Sequence, residues 1–339
     1  MNEAVAQRVT EHRSREPGRG REAEKPTHIP AAGWKDILYR VWDEIGNDRV
    51  GTIAAGTTFF VLLALFPALA ALVSIYGLVA DPATIQEHVN DLSGYVPAEM
   101  LTLVGDQLKR LSAAENNALG FGFVFGLLFA LYSANNGVKA LFDALNIAYD
   151  EEEKRSFIQL NLRSLAFTLG AIVFAILVAN VVIGVPIVLN FLNLGALGQL
   201  LITILPAIVL FGVASFGIAL LYRYGPSRSA AKWRWITPGS LAAAVIWLVG
   251  SAAFSYYLAN FGDYSATYGS LGAAIGAMMW IYISMWIILV GAELNSEIEH
   301  QTAKDTTTGP DVPMGERNAT MADELPDPPE PTKESHPKK

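Results

Sequence analysis

The chain has 339 residues, of which 52% are hydrophobic and only 17% charged, and about a quarter charged is usual for soluble domains, so a single soluble core is excluded. It contains no cysteine, which excludes disulfides, thiolate nucleophiles and cysteine-ligated metals, and its five histidines lack metal-ligand spacing. Its 24 basic and 32 acidic residues give a net charge of −8, which argues against a nucleic-acid partner.

The chain begins with a polar segment that is followed by an amphipathic helix. Residues 1–32 are rich in Arg, Glu, Pro and Gly, and such a composition predicts a disordered tail. In 33–50, Trp34, Ile37 and Val41 recur at helical spacing, with charged residues opposite. This helix is expected either to lie in the membrane interface or to pack against the protein's own polar side, and both arrangements can hold together.

Six apolar stretches are each long enough to cross a bilayer, which requires about 20 residues. Because unpaired backbone groups are not tolerated in hydrocarbon, these stretches must be helices. They are predicted near 53–79, 117–137, 164–190, 200–222, 237–260 and 270–292. Pro67, Pro186 and Pro206 are expected to kink their helices rather than end them. The sequence thus predicts an all-α, polytopic membrane protein with a transmembrane domain at 51–300.

The distribution of basic residues predicts the orientation of these spans. With alternating spans, 22 of the 24 Lys and Arg residues fall on one side, and only Lys109 and Arg110 fall on the other. The positive-inside rule therefore places both termini in the cytoplasm. The outer segment 81–116 is predicted to form two short amphipathic helices over the outer span ends. The Pro-rich segment 301–339 is predicted to be a second disordered cytoplasmic tail.

A polar stripe marks the end of the second predicted span. Asn136, Lys139, Asp143, Asn146 and Asp150 follow one another at intervals of three or four residues, which places them on one helix face. Ionisable groups at span depth are functional candidates by default, because burying them is costly. The alternative is ordinary solvation of a helix end.

Three further polar residues reach the same predicted end of the bundle: Arg163 opens the third span, Arg223 closes the fourth and Glu293 closes the sixth. Together with Asn136, Lys139, Asp143 and Asn146 they form a hypothetical cytoplasm-facing vestibule that binds a substrate. Interfacial snorkelling of the long side chains is the competing interpretation. If the vestibule exists, alanine at Lys139 or Asp143 should impair activity more than alanine at Arg228.

The chain lacks the motifs of common catalytic sites. There is no Walker A motif and no zinc-protease motif, and no catalytic residue, metal or cofactor is predicted. The acidic run Glu151–Glu153 is interpreted as a solvated loop, although a nuclease would use such a run to hold a divalent ion.

Three sequence blocks resemble the YihY/BrkB family of bacterial inner-membrane proteins. They are AAGTTFFVLLALFP at 54–67, ALNIAY at 144–149 followed by RSF at 155–157, and the segment 268–295, which begins YGSL and ends GAELN. The resemblance implies six spans, cytoplasmic termini and a multi-pass inner-membrane location. It also implies that Asn146, Arg155 and Glu293 correspond to the family's recurring Asn, Arg and Glu.

The resemblance leaves several functions open. Some relatives are linked to serum resistance, others to envelope lipid transport, and many carry a ribonuclease label. The first hypothesis is a non-enzymatic membrane protein that binds or translocates a lipid or small anionic solute, with membrane lipids as partners. A scaffold that recruits envelope proteins through its tails is the alternative, and deletion of 1–30 and 305–339 distinguishes the two. A membrane-bound hydrolase or nuclease is a remote third.

Overall fold

The computed structural model describes residues 16–76, 101, 105, 121–191, 195–260 and 271–326. Helices are the regular elements of these residues, apart from one isolated antiparallel bridge between Ala231 and Thr307. A 3₁₀ turn at Pro26–His28 precedes the α-helices. These are α1 (Ala31–Asn47), α2 (Val50–Tyr76), α3 (Phe121–Ala148), α4 (Phe157–Phe191), α5 (Gly195–Tyr224), α6 (Trp233–Asn260), α7 (Gly272–His300) and the single turn α8 (Thr320–Asp323).

The all-helical prediction is confirmed for the described residues, whereas the count of six spans stays a prediction. Four described helices are long and apolar enough to cross a membrane, or five if α1 and the first part of α2 count as one broken span. The first predicted span ends, and the second begins, between 77 and 120, which lies outside the described residues except for 101 and 105. The predicted outer segment 81–116 falls in the same gap.

The three prolines of the predicted spans do not end helices. Pro67 lies inside α2, Pro186 inside α4 and Pro206 inside α5. A helix at membrane depth tolerates proline because neighbouring helices and local adjustments satisfy the freed backbone groups.

Close backbone approach holds the long helices together. A Cβ atom added to Gly137 of α3 would lie 2.9 Å from the Cβ of Ala64 in α2. A Cβ atom added to Gly239 of α6 would lie 2.3 Å from the carbonyl oxygen of Gly291 in α7. Small residues at such crossings let membrane helices pack without a hydrophobic driving force between them.

The amphipathic helix is α1, and the structure gives it two apolar faces. The chain bends by 60° between α1 and α2. Ile37 and Val41 are buried in a cluster with Trp235 and Ile298, so one face packs on the protein. On the other side Trp42 is 78% exposed, beside exposed Leu38 and Tyr39. Packing against the protein is therefore observed, whereas contact of the exposed side with the membrane interface stays a prediction.

The segments flanking the helices differ from the disorder that their composition predicts. Residues 19–23 hydrogen-bond with residues 301–303, and residues further along the second segment hydrogen-bond with the links after α3 and between α5 and α6. The Thr302 hydroxyl donates to the Ala23 carbonyl at 2.7 Å, and the Ala303 N–H donates to the Arg21 carbonyl at 2.8 Å. Composition reports the small share of apolar residues, whereas buried polar contacts hold these segments together with a few buried apolar residues such as Ile29 and Met321. The disorder prediction is therefore wrong for the described parts of the two segments. Residues 1–15 and 327–339 lie outside the described residues.

Candidate functional site

Three links between helices meet at one end of the bundle, which we call the polar end. They are the link after α3, the link between α5 and α6, and the segment after α7. The Lys154 N–H donates to the Ser227 hydroxyl at 2.9 Å, and the Thr320 N–H donates to the Glu151 carboxylate at 2.8 Å. The bridge from Ala231 to Thr307 adds a third connection. The polar end is therefore one continuous hydrogen-bonded layer.

Asn146 is buried at the centre of this layer. Its Oδ1 accepts a hydrogen bond from the Ser227 N–H at 2.7 Å, and its Nδ2 donates to Glu153 Oε2 at 3.3 Å. The side chain therefore joins the last turn of α3 to two links. This arrangement positions Glu153 and does not leave the amide free for a ligand.

Glu153 and Arg155 form the most elaborate ion pair of the α3–α4 link. The Arg155 Nε donates to Glu153 Oε1 at 2.7 Å, and its Nη2 donates to Glu153 Oε2 at 2.5 Å. Burial by itself would raise the pKa of Glu153, but the hydrogen bonds and charge of Arg155 outweigh it and lower that pKa to about 2. The Arg155 guanidinium also lies 5.1 Å from the centre of the Phe142 ring. Both charges are thus fixed in place.

One side of the Arg155 guanidinium is unsatisfied. The side chain is 8% exposed, and its Nη1 has no hydrogen-bond partner among the described residues. A buried donor without an acceptor is costly, so each such atom in a folded protein needs an explanation. A bound anion is one acceptor that would satisfy it.

Two of the residues predicted to bind a substrate, Asp143 and Arg163, lie close to this ion pair, and a third, Lys139, lies close to Asp143. Asp143 lies close enough to Glu153, Arg155 and Lys139 to interact with their charges. Arg163, exposed on the first turns of α4, interacts with the charges of Arg155 and Glu153. We call Lys139, Asp143, Glu153, Arg155 and Arg163 the α3–α4 cluster. It holds three cationic and two anionic side chains, so it favours an anionic ligand.

The structure places Glu293 with a different set of residues. Its side chain is 1% exposed, and its carboxyl lies within hydrogen-bonding reach of Asp48, in the link between α1 and α2. After Asp48, the charges of Glu297 and Glu44 act on it. Asp150, the last residue of the predicted stripe, faces His300 and Glu297 rather than Asp143. Glu293 therefore belongs to an acidic group at the α1–α2 bend.

Arg223 and Asn136 also lie apart from the α3–α4 cluster. The Arg223 guanidinium stacks 4.5 Å from the centre of the Trp233 ring, across the link between α5 and α6. Asn136 is exposed on α3, and no hydrogen bond of its side chain to another described residue is found. The vestibule residues predicted from sequence thus divide among separate places at the polar end.

Sequence reasoning missed two buried polar contacts that shape this end. Arg228 and Glu299 form an ion pair with an Nη2-to-Oε2 distance of 2.6 Å. Asn295 of α7 accepts from the Gly239 N–H at 2.8 Å and donates to the Ile236 carbonyl at 2.9 Å, which joins it to α6. No local pattern marks these residues, because their partners come from other helices. For Arg155, the family resemblance is the one sequence signal that indicates a role.

Within the described ranges, no three Asp, Glu or His residues lie together in a way that could hold a metal ion. In the acidic run Glu151–Glu153, two carboxylates instead bind protein groups. Glu151 accepts hydrogen bonds from Lys154 and Thr320, and Glu153 accepts one from Arg155. The carboxylates of Glu151 and Glu153 are thus engaged in hydrogen bonds and ion pairs with the protein.

Comparisons with known proteins agree on one family. A family model described as "Virulence factor BrkB" matches residues 41–314. The ribonuclease-like protein YfkH of Bacillus subtilis is 34% identical over 268 residues, which cover 77% of this chain and 93% of that protein. A UPF0761 membrane protein of Vibrio atlanticus is 28% identical over 261 residues, covering 75% and 80%. One of Pseudoalteromonas translucida is 23% identical over 298 residues, covering 85% and 91%. No solved structure matches the chain.

The names of two of these relatives describe membrane proteins. The UPF0761 name indicates no enzymatic activity, and "ribonuclease-like" is a label of YfkH alone among the three.

Proposed function

The chain belongs to the BrkB family of multi-pass membrane proteins, as its three sequence blocks predict, and from this premise we propose that it binds or translocates a lipid or a small anionic solute. The α3–α4 cluster is the place where the anionic group binds. The shared chemistry of the two ligand classes is a phosphate-like or carboxylate anion, which a guanidinium recognises through two parallel hydrogen bonds.

The observation that carries this proposal is the unsatisfied Nη1 of Arg155. Its guanidinium is oriented by Glu153 and by the Phe142 ring, so little conformational entropy is lost when a ligand binds. Arg163, exposed and without a hydrogen bond within the described residues, supplies a second guanidinium beside it. The carboxylate of Asp143 repels an anion, so we expect the site to admit only ligands whose attraction to the two arginines is stronger than this repulsion.

The distribution of basic residues supports a cytoplasmic position for this cluster. Under the proposed six-span topology, both termini and the α3–α4 link lie on the side that carries 22 of the 24 Lys and Arg residues. The ligand is then taken from the cytoplasm or from the inner leaflet.

A scaffold remains the second candidate, favoured by the folded flanking segments. Residues 16–30 and 301–326 add an ordered polar layer to the bundle, and a partner protein would meet this layer first. The scaffold and the anion-binding hypotheses differ in what the α3–α4 cluster contributes, so variants of the cluster distinguish them.

The test is calorimetric titration of the purified full-length protein in mild detergent. Short-chain phosphatidylglycerol probes a lipid headgroup, and inorganic phosphate probes a free anion. The variants are Arg163→Gln, which removes an exposed guanidinium, and Arg155→Gln. Arg234→Gln is the matched control, because Arg234 is also exposed at a helix start and has no hydrogen bond among the described residues.

We expect wild type and Arg234→Gln to bind at least one probe. We expect Arg163→Gln to weaken binding about tenfold or more, since a hydrogen bond to a charged group contributes about 1.5–3 kcal/mol and each 1.4 kcal/mol is a factor of about ten. Whichever probe binds identifies the ligand class. Equal affinity in all four proteins, or no binding of either probe by wild type, would overturn the proposal.

A further inference from the structure

A groove on the outside of the bundle runs between α5 and α6, beside the polar end. It has a volume of about 240 Å³, and its walls include Phe216, Ala219, Trp233 and Leu241. Phe216 is 55% exposed and Leu241 is 41% exposed, so the groove opens sideways, away from the bundle. Both helices are candidate membrane spans, and a sideways opening between two spans faces lipid.

The size and lining of the groove suit part of a flexible chain. Small-molecule pockets usually measure about 300–1,000 Å³, so this groove is too small for a whole rigid ligand of that kind. The lining residues Ser215, Ala219 and Ser240 have small side chains, which leave the space of the groove unfilled. The Thr237 and Ser240 hydroxyls in its lining donate to backbone carbonyls of α6, and the Ser215 Oγ is the only hydroxyl of the lining without a partner among the described residues. A methylene chain fills such a narrow, mostly apolar channel without presenting polar groups of its own.

A cationic side chain, that of Arg223, lies at the end of the groove that is nearest to the polar end of the bundle. The Arg223 guanidinium lies 4.5 Å from the centre of the Trp233 ring and 5.3 Å from that of Tyr224. One of its nitrogens, Nη1, donates to the Ala231 carbonyl. Its Nε is buried without a hydrogen-bond partner among the described residues, and no carboxylate of those residues pairs with it. The charge of Arg223 is therefore uncompensated within the described part of the protein.

We infer that the α5–α6 groove holds one acyl chain of an anionic phospholipid whose phosphate is bound by Arg223. Trp233 joins the two parts, since its ring lines the groove and also stacks under the guanidinium. Tryptophan favours this depth, where an apolar body and a polar tip meet the membrane boundary. No residue of the α3–α4 cluster takes part in this lipid site, so the inference is independent of the proposed function.

The test measures lipid retention by native mass spectrometry of the full-length protein in mild detergent. Phosphatidylglycerol and phosphatidylcholine with the same acyl chains are added in equal amounts. Arg223→Gln removes the cation, and Ala219→Leu fills the groove while leaving the cation in place. Arg234→Gln and Ala207→Leu are the matched controls, because both residues are exposed on the same two helices.

We expect wild type and both controls to retain one phosphatidylglycerol at least tenfold more than phosphatidylcholine. Arg223→Gln should lose this preference, and Ala219→Leu should lose retention of both lipids. Phosphatidylglycerol retention that is unchanged in both groove variants would overturn the inference. Retention that is lost instead in Arg163→Gln would also overturn it, and would place the lipid at the α3–α4 cluster.

A second readout locates the acyl chain. Phosphatidylglycerol with brominated acyl chains quenches the fluorescence of tryptophans that it contacts. The quenched fraction should be smaller in Trp233→Phe than in wild type, because the groove tryptophan is then absent. An equal quenched fraction in the two proteins would contradict occupation of the groove.

Discussion

The Arg228 guanidinium binds the Glu299 carboxylate through two nitrogens, at 2.6 and 3.3 Å, and the two side chains are only 2% and 0% exposed. Burial by itself would lower the pKa of Arg228, but the charge and hydrogen bonds of Glu299 outweigh burial and raise it. The Arg228 guanidinium also lies 5.2 Å from the centre of the Tyr149 ring. This pair joins the α5–α6 link to the end of α7, and it holds the polar end together.

Breaking this ion pair should destabilise the protein strongly. Arg228→Gln leaves a buried carboxylate without its cation, and such losses cost about 3–5 kcal/mol. We expect a clearly lower unfolding temperature in detergent, measured by the intrinsic fluorescence of the tryptophans. Arg234→Gln, at an exposed arginine, should unfold like wild type. An unchanged unfolding temperature for Arg228→Gln would show that the pair does not hold the polar end together.

The same pair removes Arg228 as a neutral control for the predicted vestibule. A loss of activity on substitution of Arg228 would result from unfolding. It therefore could not serve as the reference for losses of activity in the Lys139 or Asp143 variants. Arg234 takes its place in every experiment above.

Asn146 and Asn136 form a matched pair on α3 that separates structure from function. Asn146→Ala leaves the Ser227 N–H without its acceptor, and a buried unpaired donor costs about 1–3 kcal/mol. Asn136→Ala removes an exposed amide and should change stability by less than about 0.5 kcal/mol. Chemical unfolding of both variants in one detergent gives the comparison. Equal free energies of unfolding would contradict the central position of Asn146.

Stability should depend on the protonation of Glu153 in acid. Its pKa is about 2 in the folded protein and 4.5 ordinarily. A carboxyl with a lowered pKa stabilises the fold fully above its ordinary value and loses this contribution as the pH falls through the folded value. The difference in unfolding temperature between wild type and Glu153→Gln should therefore be largest above pH 4.5 and shrink towards pH 2.

The control for this pH series is Glu152→Gln, since Glu152 is exposed in the same link. Its difference from wild type should stay small at every pH. If the difference in unfolding temperature between wild type and Glu153→Gln does not vary between pH 6 and pH 2.5, the ion pair of Glu153 with Arg155 does not stabilise the fold.

Truncations should separate the folded flanking segments from the rest of the termini. Deletion of 305–339 removes Arg317, whose guanidinium donates to the carbonyls of Ala303 at 2.9 Å and Val312 at 3.1 Å. We expect this deletion to lower the unfolding temperature, because buried polar partners are lost. Deletion of 1–15 and 327–339 keeps every contact described above and should leave it unchanged.

The shorter truncation is also the sharper test of the scaffold hypothesis. A partner that residues 1–15 and 327–339 recruit should be lost with them, whereas a partner that contacts the ordered layer of 16–30 and 301–326 should be retained. Anion binding at the α3–α4 cluster should persist in both cases. With the longer deletion, loss of a partner would follow from unfolding and would distinguish nothing.

The sequence predicts the helices well because their signals are local. Apolar runs predict α4 to α7, and helical spacing of Trp34, Ile37 and Val41 predicts α1. The polar stripe likewise predicts that Lys139 and Asp143 share one face of α3, and in the structure the charge of Lys139 acts on Asp143. In each case one stretch of chain carries the whole pattern.

Partners from different helices could not be predicted in this way. Glu293 shares the polar end with Arg163, yet it faces Asp48, because the bend after α1 brings that link to α7. The groove beside Arg223 depends on which small residues of α5 face α6, and this rotation is set by packing alone. Compositional rules also fail for 301–326, where backbone acceptors satisfy Arg317.

The most direct measurement of the central claim is native mass spectrometry of the protein as purified, beside the Arg155→Gln/Arg163→Gln double variant. We expect wild type to retain an anionic lipid or a small anion that the double variant has lost, while both unfold cooperatively. The same adducts in both proteins, or no anionic adduct in wild type, would contradict an anion site at the α3–α4 cluster.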